Sequence, residues 1–72
     1  MDRLMDKKYL SKYKEEKTRI KVNLKNGRFY TGIILSLEDN TILFLDKFNI
    51  EMPIDLDSIS YVELAGGFDN GN

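Results

Sequence analysis

Residues 20–45 read IKVNLKNGRFYTGIILSLEDNTILFL, and this stretch decides the fold. Its first five residues alternate aliphatic and polar side chains, which is typical of a strand with one buried face. Asn26-Gly27 comes next and is a strong hairpin signal, because a type I′ turn needs two residues that tolerate positive φ. A second apolar run follows. The stretch therefore predicts a β-hairpin with strands near residues 18–25 and 28–37.

The second strand of this hairpin carries a glycine in its interior. Side chains alternate along a strand, so one face is expected to carry Phe29, Thr31, Ile33, Leu35 and Leu37. Gly32 interrupts the run, and a glycine within a strand marks a bend, a bulge or the close approach of another backbone. We expect the sheet to curl sharply at this strand, as it does in a small barrel.

A helix is predicted before the first strand, at about residues 3–15, with Asp2 as a suitable N-cap residue. Its apolar stripe consists of Met5, Tyr9 and Tyr13, flanked by Leu4 and Leu10. We expect this stripe to pack against the sheet rather than to form a platform for stacked bases.

Three further strands are expected at about residues 40–46, 50–54 and 59–64. The first of them is apolar without alternation, which predicts a strand covered on both faces. Pro53 has no N–H to donate, so its strand should lie at a sheet edge or the proline at the strand's end. Asn49, in the turn before that strand, is a candidate for left-handed backbone conformation.

Length and composition predict one small domain that associates with copies of itself. The chain has 72 residues; we place the domain at 1–64 and a flexible, glycine- and asparagine-rich tail at 65–72. A chain near this size buries only ~60% of its unfolded surface, and it has no cysteine for a disulfide. We therefore expect its edge strands to pair with neighbouring copies. With no apolar run of membrane-spanning length and no signal-peptide pattern, the expected location is the cytoplasm.

Charge is divided unevenly along the chain, although the formal net charge is only −1. Residues 1–28 carry ten lysines and arginines against four acids, a net charge of +6, whereas residues 29–72 carry one lysine against eight acids, a net charge of −7. This asymmetry is consistent with an anionic partner for the first part, with complementary contacts between subunits, or with a solvated helix that carries ordinary surface lysines.

The residues do not predict catalysis or metal binding. The chain has no histidine and no cysteine, and its serines have no plausible base nearby in sequence. The acidic pairs Glu38-Asp39 and Asp55-x-Asp57 fall at turns, where acids commonly serve solubility and local hydrogen bonds. We expect no enzyme activity, no cofactor and no metal site.

The hairpin and the strand after it resemble the first motif of the Sm-like family, which comprises the Sm and LSm proteins and the RNA chaperone Hfq. The matching residues are Leu24-x-Asn26-Gly27-Arg28-x-x-x-Gly32-x-Ile34-x-x-Leu37-Glu38 and then Ile42-Leu43-Phe44-Leu45. The resemblance covers about residues 4–64, with Gly27 and Gly32 in structural roles. It implies a mostly β, Sm-like fold, an N-terminal helix followed by a five-stranded, strongly bent antiparallel SH3-like barrel, and assembly into a ring. Another SH3-like barrel with the same hairpin remains an alternative.

The resemblance also implies a binding pocket for single-stranded, uridine-rich RNA near the pore of the ring. In the family a base stacks on a side chain from the loop after the second strand, an Asn or Gln bonds its edge, and a basic residue from the last loop completes the pocket. The positions that match this pocket are Glu38, Asn40, Ile42, Asp55, Leu56 and Asp57. The family's cations are missing from them and carboxylates have replaced two, so we expect a degenerate pocket.

If RNA binds, the helix-bearing face is the better surface. Its expected contacts are Lys7, Lys8, Lys12, Lys14 and Arg28, which would bind phosphates in a salt-sensitive, weakly selective way. For Arg28, a structural role in holding the loops together is an equal alternative to RNA binding. The leading function is a ring-forming protein that binds single-stranded RNA. The alternative is a structural or adaptor ring that binds no RNA and contacts a protein partner.

Overall fold

One helix precedes a five-stranded antiparallel sheet in the computed structural model, which describes residues 7–65. The elements are α1 (Lys7–Glu16), β1 (Ile20–Leu24), β2 (Phe29–Glu38), β3 (Thr41–Asp46), β4 (Glu51–Asp55), a short 3-10 helix (Leu56–Ser58) and β5 (Ile59–Leu64). The strand order is β4-β3-β2-β1-β5, and every neighbouring pair is antiparallel. The sheet is strongly bent but not closed, so β4 and β5 are its two edges. The mostly β fold predicted from the sequence is confirmed.

The hairpin between β1 and β2 has three loop residues rather than two. The Gly27 N–H donates to the Leu24 carbonyl (3.0 Å), and the Leu24 N–H donates to the Arg28 carbonyl (2.8 Å). Gly27 has a φ of +92°, whereas Asn26 does not have a positive φ. The hairpin was predicted correctly, but the type I′ turn was wrong, because a three-residue loop needs only one left-handed residue. Asn26 instead accepts the Arg28 N–H through its side-chain oxygen (2.9 Å).

Gly32 allows β2 and β3 to approach each other closely. A Cβ atom added to Gly32 would overlap the Leu45 carbonyl oxygen and would lie 2.8 Å from the Cα of Asp46. The φ of Gly32 is not positive, so the position needs glycine for space rather than for backbone conformation. Of the three roles that an interior glycine can have, close approach is the one found here.

The bulge of β2 lies instead at Leu35, where the register with β3 shifts between Ile34 and Ser36. A one-residue shift moves the following side chains to the opposite face of the sheet. Ile34 is therefore buried before the bulge, and Leu37 packs against the core after it. The predicted apolar face of β2 was wrong: Phe29 is 58% exposed and Leu35 is 37% exposed.

The hydrophobic core lies between α1 and the inner face of the sheet. Leu10 and Tyr13 are buried and Tyr9 is partly buried against them, so the packing role predicted for the helical stripe is confirmed. The predicted contributions of Asp2, Leu4 and Met5 lie outside the described residues. The sheet contributes Ile20, Val22, Ile34, Ile42, Phe44, Ile54, Ile59 and Val62, with Leu56 from the 3-10 helix.

β3 has one buried face in the single chain, not the two that were predicted. Its burial alternates: Ile42 and Phe44 are buried, whereas Leu43 and Leu45 are only half-buried. The unbroken apolar run gave no sign of which residues would point outward.

α1 ends in a Schellman-type arrangement at Lys17. The Thr18 N–H donates to the Tyr13 carbonyl (3.0 Å) and the Lys17 N–H to the Lys14 carbonyl (3.3 Å). Lys17 adopts a φ of +53° at the position that glycine usually occupies.

Asn49 has the left-handed φ predicted for it, +66°. No helix within residues 7–65 is long and apolar enough to cross a membrane.

Candidate nucleic-acid interface

The β2–β3 turn and the β4–β5 connection meet at one end of the sheet. Thr41 pairs with Asp55 across β3 and β4, and the Thr41 hydroxyl donates to the Asp55 carboxylate (3.0 Å). The Leu56 N–H donates to the Asn40 carbonyl (2.8 Å). The structure thus brings together the two loops that carry the predicted pocket positions, including Glu38 next to Thr41 and Asp57 next to Leu56.

Two of the six pocket positions belong to the core. Ile42 is 1% exposed and Leu56 is 8% exposed, so neither offers a polar group to the edge of a base. The other four, Glu38, Asn40, Asp55 and Asp57, are exposed. Three of these four are carboxylates, and the two loops contain no lysine or arginine. This end of the sheet is therefore unfavourable for a phosphate by charge.

The predicted cations lie on two different elements. Lys8 and Lys12 are exposed on α1 and Lys14 is half-buried, whereas Arg28 is exposed in the β1–β2 loop. The side chain of Lys7 lies outside the described part of the chain. Lys8 has its ammonium 5.8 Å from the centre of the Tyr9 ring. Within residues 7–65 the one ion pair joins Lys21 to Glu63 (4.0 Å), so the described helix lysines make no ion pair there.

A second set of exposed side chains, which the sequence did not single out, lies on the outer face of the sheet. Phe29 is 58% exposed and Phe48 is 72% exposed, and both line one groove. Lys21 has its ammonium 4.4 Å from the centre of the Phe29 ring, and Lys47 has its ammonium 5.5 Å from the centre of the Phe48 ring. The sequence feature that could have indicated this set is Phe48, an aromatic residue among polar residues in a predicted turn.

Asp46 has a structural role beside this groove. It is 9% exposed, and its carboxylate accepts the backbone N–H groups of Phe48 (2.9 Å) and Ile50 (3.2 Å). These bonds fix the β3–β4 turn, in which Lys47 and Phe48 lie. In the described part of the chain, no group of three acidic side chains is close enough to hold a metal ion.

No protein-family model matches the chain, and no curated protein sequence matches it. Among solved structures, the chain is similar to Hfq, which is described as a pleiotropic translational regulator and was solved at 1.55 Å. The TM-score is 0.74 and the sequence identity 21%, over 79% of this chain and 93% of that one. At this identity the likeness concerns the fold, and it agrees with the order of one helix and five antiparallel strands. The chain has the Sm-like fold.

Proposed function

We propose that this chain forms an Sm-like ring and binds single-stranded RNA, with the lysines of α1 as its main phosphate contacts. The observation that supports this proposal is the Sm-like fold with two open sheet edges. Hfq, whose structure is similar, is described as a translational regulator, and rings of the family bind single-stranded RNA. We place the chain in the cytoplasm, in keeping with its lack of cysteine.

The free edge of β4 is interrupted by a proline. The Asp46 N–H donates to the Ile50 carbonyl, so hydrogen-bonded and non-hydrogen-bonded pairs alternate from there along β3 and β4. Glu51, Pro53 and Asp55 then direct their backbone polar groups away from β3. Because Pro53 has no N–H, this edge offers three acceptors but only two donors, from Glu51 and Asp55.

The free edge of β5 contains no proline, although the register of β5 with β1 shifts at Ser60. The Ala65 N–H donates to the Arg19 carbonyl, so by the same alternation Leu64 directs its N–H away from β1. Leu64 is 62% exposed and Tyr61 is 47% exposed. Open edges with apolar side chains favour pairing with another chain. A neighbour's β5 against β4 would cover both edges and, repeated head to tail, would close a ring.

The surface of α1 is the better place for the phosphate backbone. Lys8 and Lys12 are exposed there, whereas the pocket loops present carboxylates that a ring would multiply. Single-stranded nucleic acid binds in positively charged grooves and releases counterions, so its affinity falls with salt. We therefore expect RNA contacts that are salt-sensitive and largely independent of sequence.

The experiment is a titration of labelled oligo-U and oligo-A at low and moderate salt. Lys8→Glu and Lys12→Glu should each weaken binding of both oligonucleotides, and each should reduce the salt slope by about 0.7. Lys25→Glu, an exposed change of the same charge in the β1–β2 loop, is the matched control and should have a smaller effect. Equal losses for all three variants would argue for net charge rather than for a helix site.

The ring is tested by light scattering on Leu64→Pro and Leu64→Ser. Both remove an exposed side chain, but only proline removes the edge N–H of β5. We expect Leu64→Pro to give smaller particles with an unchanged circular dichroism spectrum, and Leu64→Ser to retain the assembly. A strictly monomeric unsubstituted protein would refute the ring.

The alternative function is a structural or adaptor ring that contacts a protein partner. The carboxylates Asp55 and Asp57 at positions where the family uses cations favour it. Failure of the unsubstituted protein to bind either oligonucleotide at low salt would select this alternative.

A further inference from the structure

The β1–β2 loop contains a chemically labile pair of residues. Asparagine is a thermolabile residue, and its side-chain amide is lost most readily before glycine, because glycine has no Cβ to hinder the backbone nitrogen that attacks the amide. The sequence contains two such pairs, Asn26-Gly27 and Asn70-Gly71. The first lies in the described part of the chain, where both of its residues are exposed to water.

Deamidation of this pair requires only water and hydroxide. Hydroxide removes the proton from the Gly27 backbone nitrogen, which then attacks the side-chain carbonyl carbon of Asn26. A C–N bond forms between these two atoms, and the side-chain nitrogen leaves as ammonia after it takes a proton from water. Water then opens the resulting succinimide ring at either of its carbonyls. The product is aspartate or isoaspartate, so a neutral side chain becomes a carboxylate and no atom is oxidised or reduced.

In the folded loop both reacting groups are held by hydrogen bonds. The Gly27 N–H donates to the Leu24 carbonyl (3.0 Å), so hydroxide cannot take its proton without breaking that bond. The Asn26 side-chain oxygen accepts the Arg28 N–H (2.9 Å), which fixes the amide whose carbon has to turn towards the nitrogen. A third bond, from the Leu24 N–H to the Arg28 carbonyl (2.8 Å), closes the loop between the two strands. The bonds that shape the loop therefore also oppose the reaction.

We infer that Asn26 is a deamidation site that the folded hairpin protects, so that it reacts in molecules whose β1–β2 loop has opened. The inference does not depend on RNA binding or on the ring. The product carries a new negative charge between Lys25 and Arg28. The isoaspartate form also adds one carbon to the main chain of a three-residue loop, which changes the spacing of the groups that close it. The modification thus leaves a permanent record of hairpin opening.

The test measures the rate of amide loss at Asn26 in the full chain and in a synthetic peptide of residues 20–32, at mildly alkaline pH. Peptide mapping by mass spectrometry separates Asn26 from Asn70. An isolated hairpin is marginally stable at best, so the peptide leaves both reacting groups free. One net hydrogen bond shifts an equilibrium about fivefold, so release of two should make the folded chain react about 25-fold more slowly than the peptide. In urea above the unfolding midpoint the two rates should agree.

Arg28→Pro and Arg28→Ala are a matched pair of variants. Both remove the same charge, but only proline removes the N–H that Asn26 accepts. Relative to a peptide with the same substitution, Arg28→Pro should lose the amide about fivefold faster than Arg28→Ala, with circular dichroism as the check on folding.

Two results would overturn the inference. One is an unsubstituted folded chain that loses the Asn26 amide as fast as its peptide. The other is a folded Arg28→Pro chain that reacts as slowly as Arg28→Ala, because the bond to Asn26 would then protect nothing. The first comparison needs no variant, so it decides the question even where Arg28→Pro does not fold.

Discussion

Replacing Gly32 with alanine should be among the most damaging single changes in the sheet. The added Cβ would overlap the Leu45 carbonyl oxygen and would lie 2.8 Å from the Cα of Asp46 and 2.9 Å from the carbonyl carbon of Leu45. These are backbone atoms of β3, and Gly32 pairs directly with Asp46 in the ladder. No side chain can rotate away to relieve the overlap, so the two strands themselves must separate.

The size of the effect follows from this rigidity. Overpacking a dense core costs about 1–3 kcal/mol when side chains can adjust, and here the backbone must move, so we expect a loss of about 3 kcal/mol. A domain of this length has a total stability of about 4–11 kcal/mol, of which the loss is a large fraction. At ~4–8 °C per kcal/mol, the thermal midpoint should fall by about 12–24 °C.

The assay is thermal and urea unfolding followed by circular dichroism, at one fixed protein concentration because assembly changes apparent stability. Gly27→Ala is the control: its Cβ would meet nothing within 4 Å, but its φ of +92° is strained for alanine, at a cost of about 1–2 kcal/mol. Gly32→Ala should therefore be the more harmful of the two. A loss for Gly32→Ala no larger than that for Gly27→Ala would refute the close approach of β2 and β3.

Three further predictions concern single side chains. Lys17→Gly should raise the free energy of unfolding by up to about 1 kcal/mol in urea titrations, because it relieves the φ of +53° but adds chain entropy to the unfolded state. Asp46→Ala should lower it by about 2 kcal/mol, because two backbone N–H groups lose their acceptor; Asp46→Asn keeps an acceptor oxygen and should lose less. Burial, and then the neighbouring Tyr9, raises the pKa of Tyr13 above 10.0. The folded state then holds that proton more tightly than the unfolded state, so the contribution of Tyr13 to stability is complete below pH 10.0 and is lost as the pH rises through the higher value. Tyr13→Phe should flatten this alkaline decline in urea midpoints.

Local patterns predicted the elements well because period and turn chemistry are local properties. The bounds of β5 were predicted to the residue, and those of β1 to β4 within two residues. The turn type at Asn26-Gly27 was not predicted, since the dipeptide is compatible with loops of two and three residues. In the structure Asn23 pairs with Phe29, and this register leaves three residues in the loop.

The inner face of β2 could not be read from the sequence, because both of its faces are apolar. Phe29, Ile33 and Leu35 alternate with Tyr30 and Ile34, and the pattern does not say which set is inside. The bulge at Leu35 depends on how β3 curves against β2, which no local window contains. The aromatic groove was missed for the same reason, since Phe29 had been assigned to the apolar strand face.

The meeting of the two pocket loops came from the resemblance rather than from the residues themselves. The sequence separates Thr41 from Asp55 by an entire hairpin, and only the β3–β4 register joins them. The charges of these loops, by contrast, could be read directly. Their carboxylates were expected to disfavour phosphate, and the structure leaves Glu38, Asp55 and Asp57 exposed.

The close approach at Gly32 connects the fold to the groove lined by Phe29 and Phe48. Because β3 lies against Gly32, the chain leaves Asp46 next to β2, and the Lys47 N–H can reach the Thr31 carbonyl. That bond and the two bonds accepted by Asp46 fix the turn that carries Phe48, which lines the same groove as Phe29. If β2 and β3 were further apart, the turn would lose its attachment to β2 and the two rings would not share one surface. The glycine that brings these strands together therefore also positions the turn that carries Phe48, and a variant that separates the strands should disturb this turn even where the chain still folds.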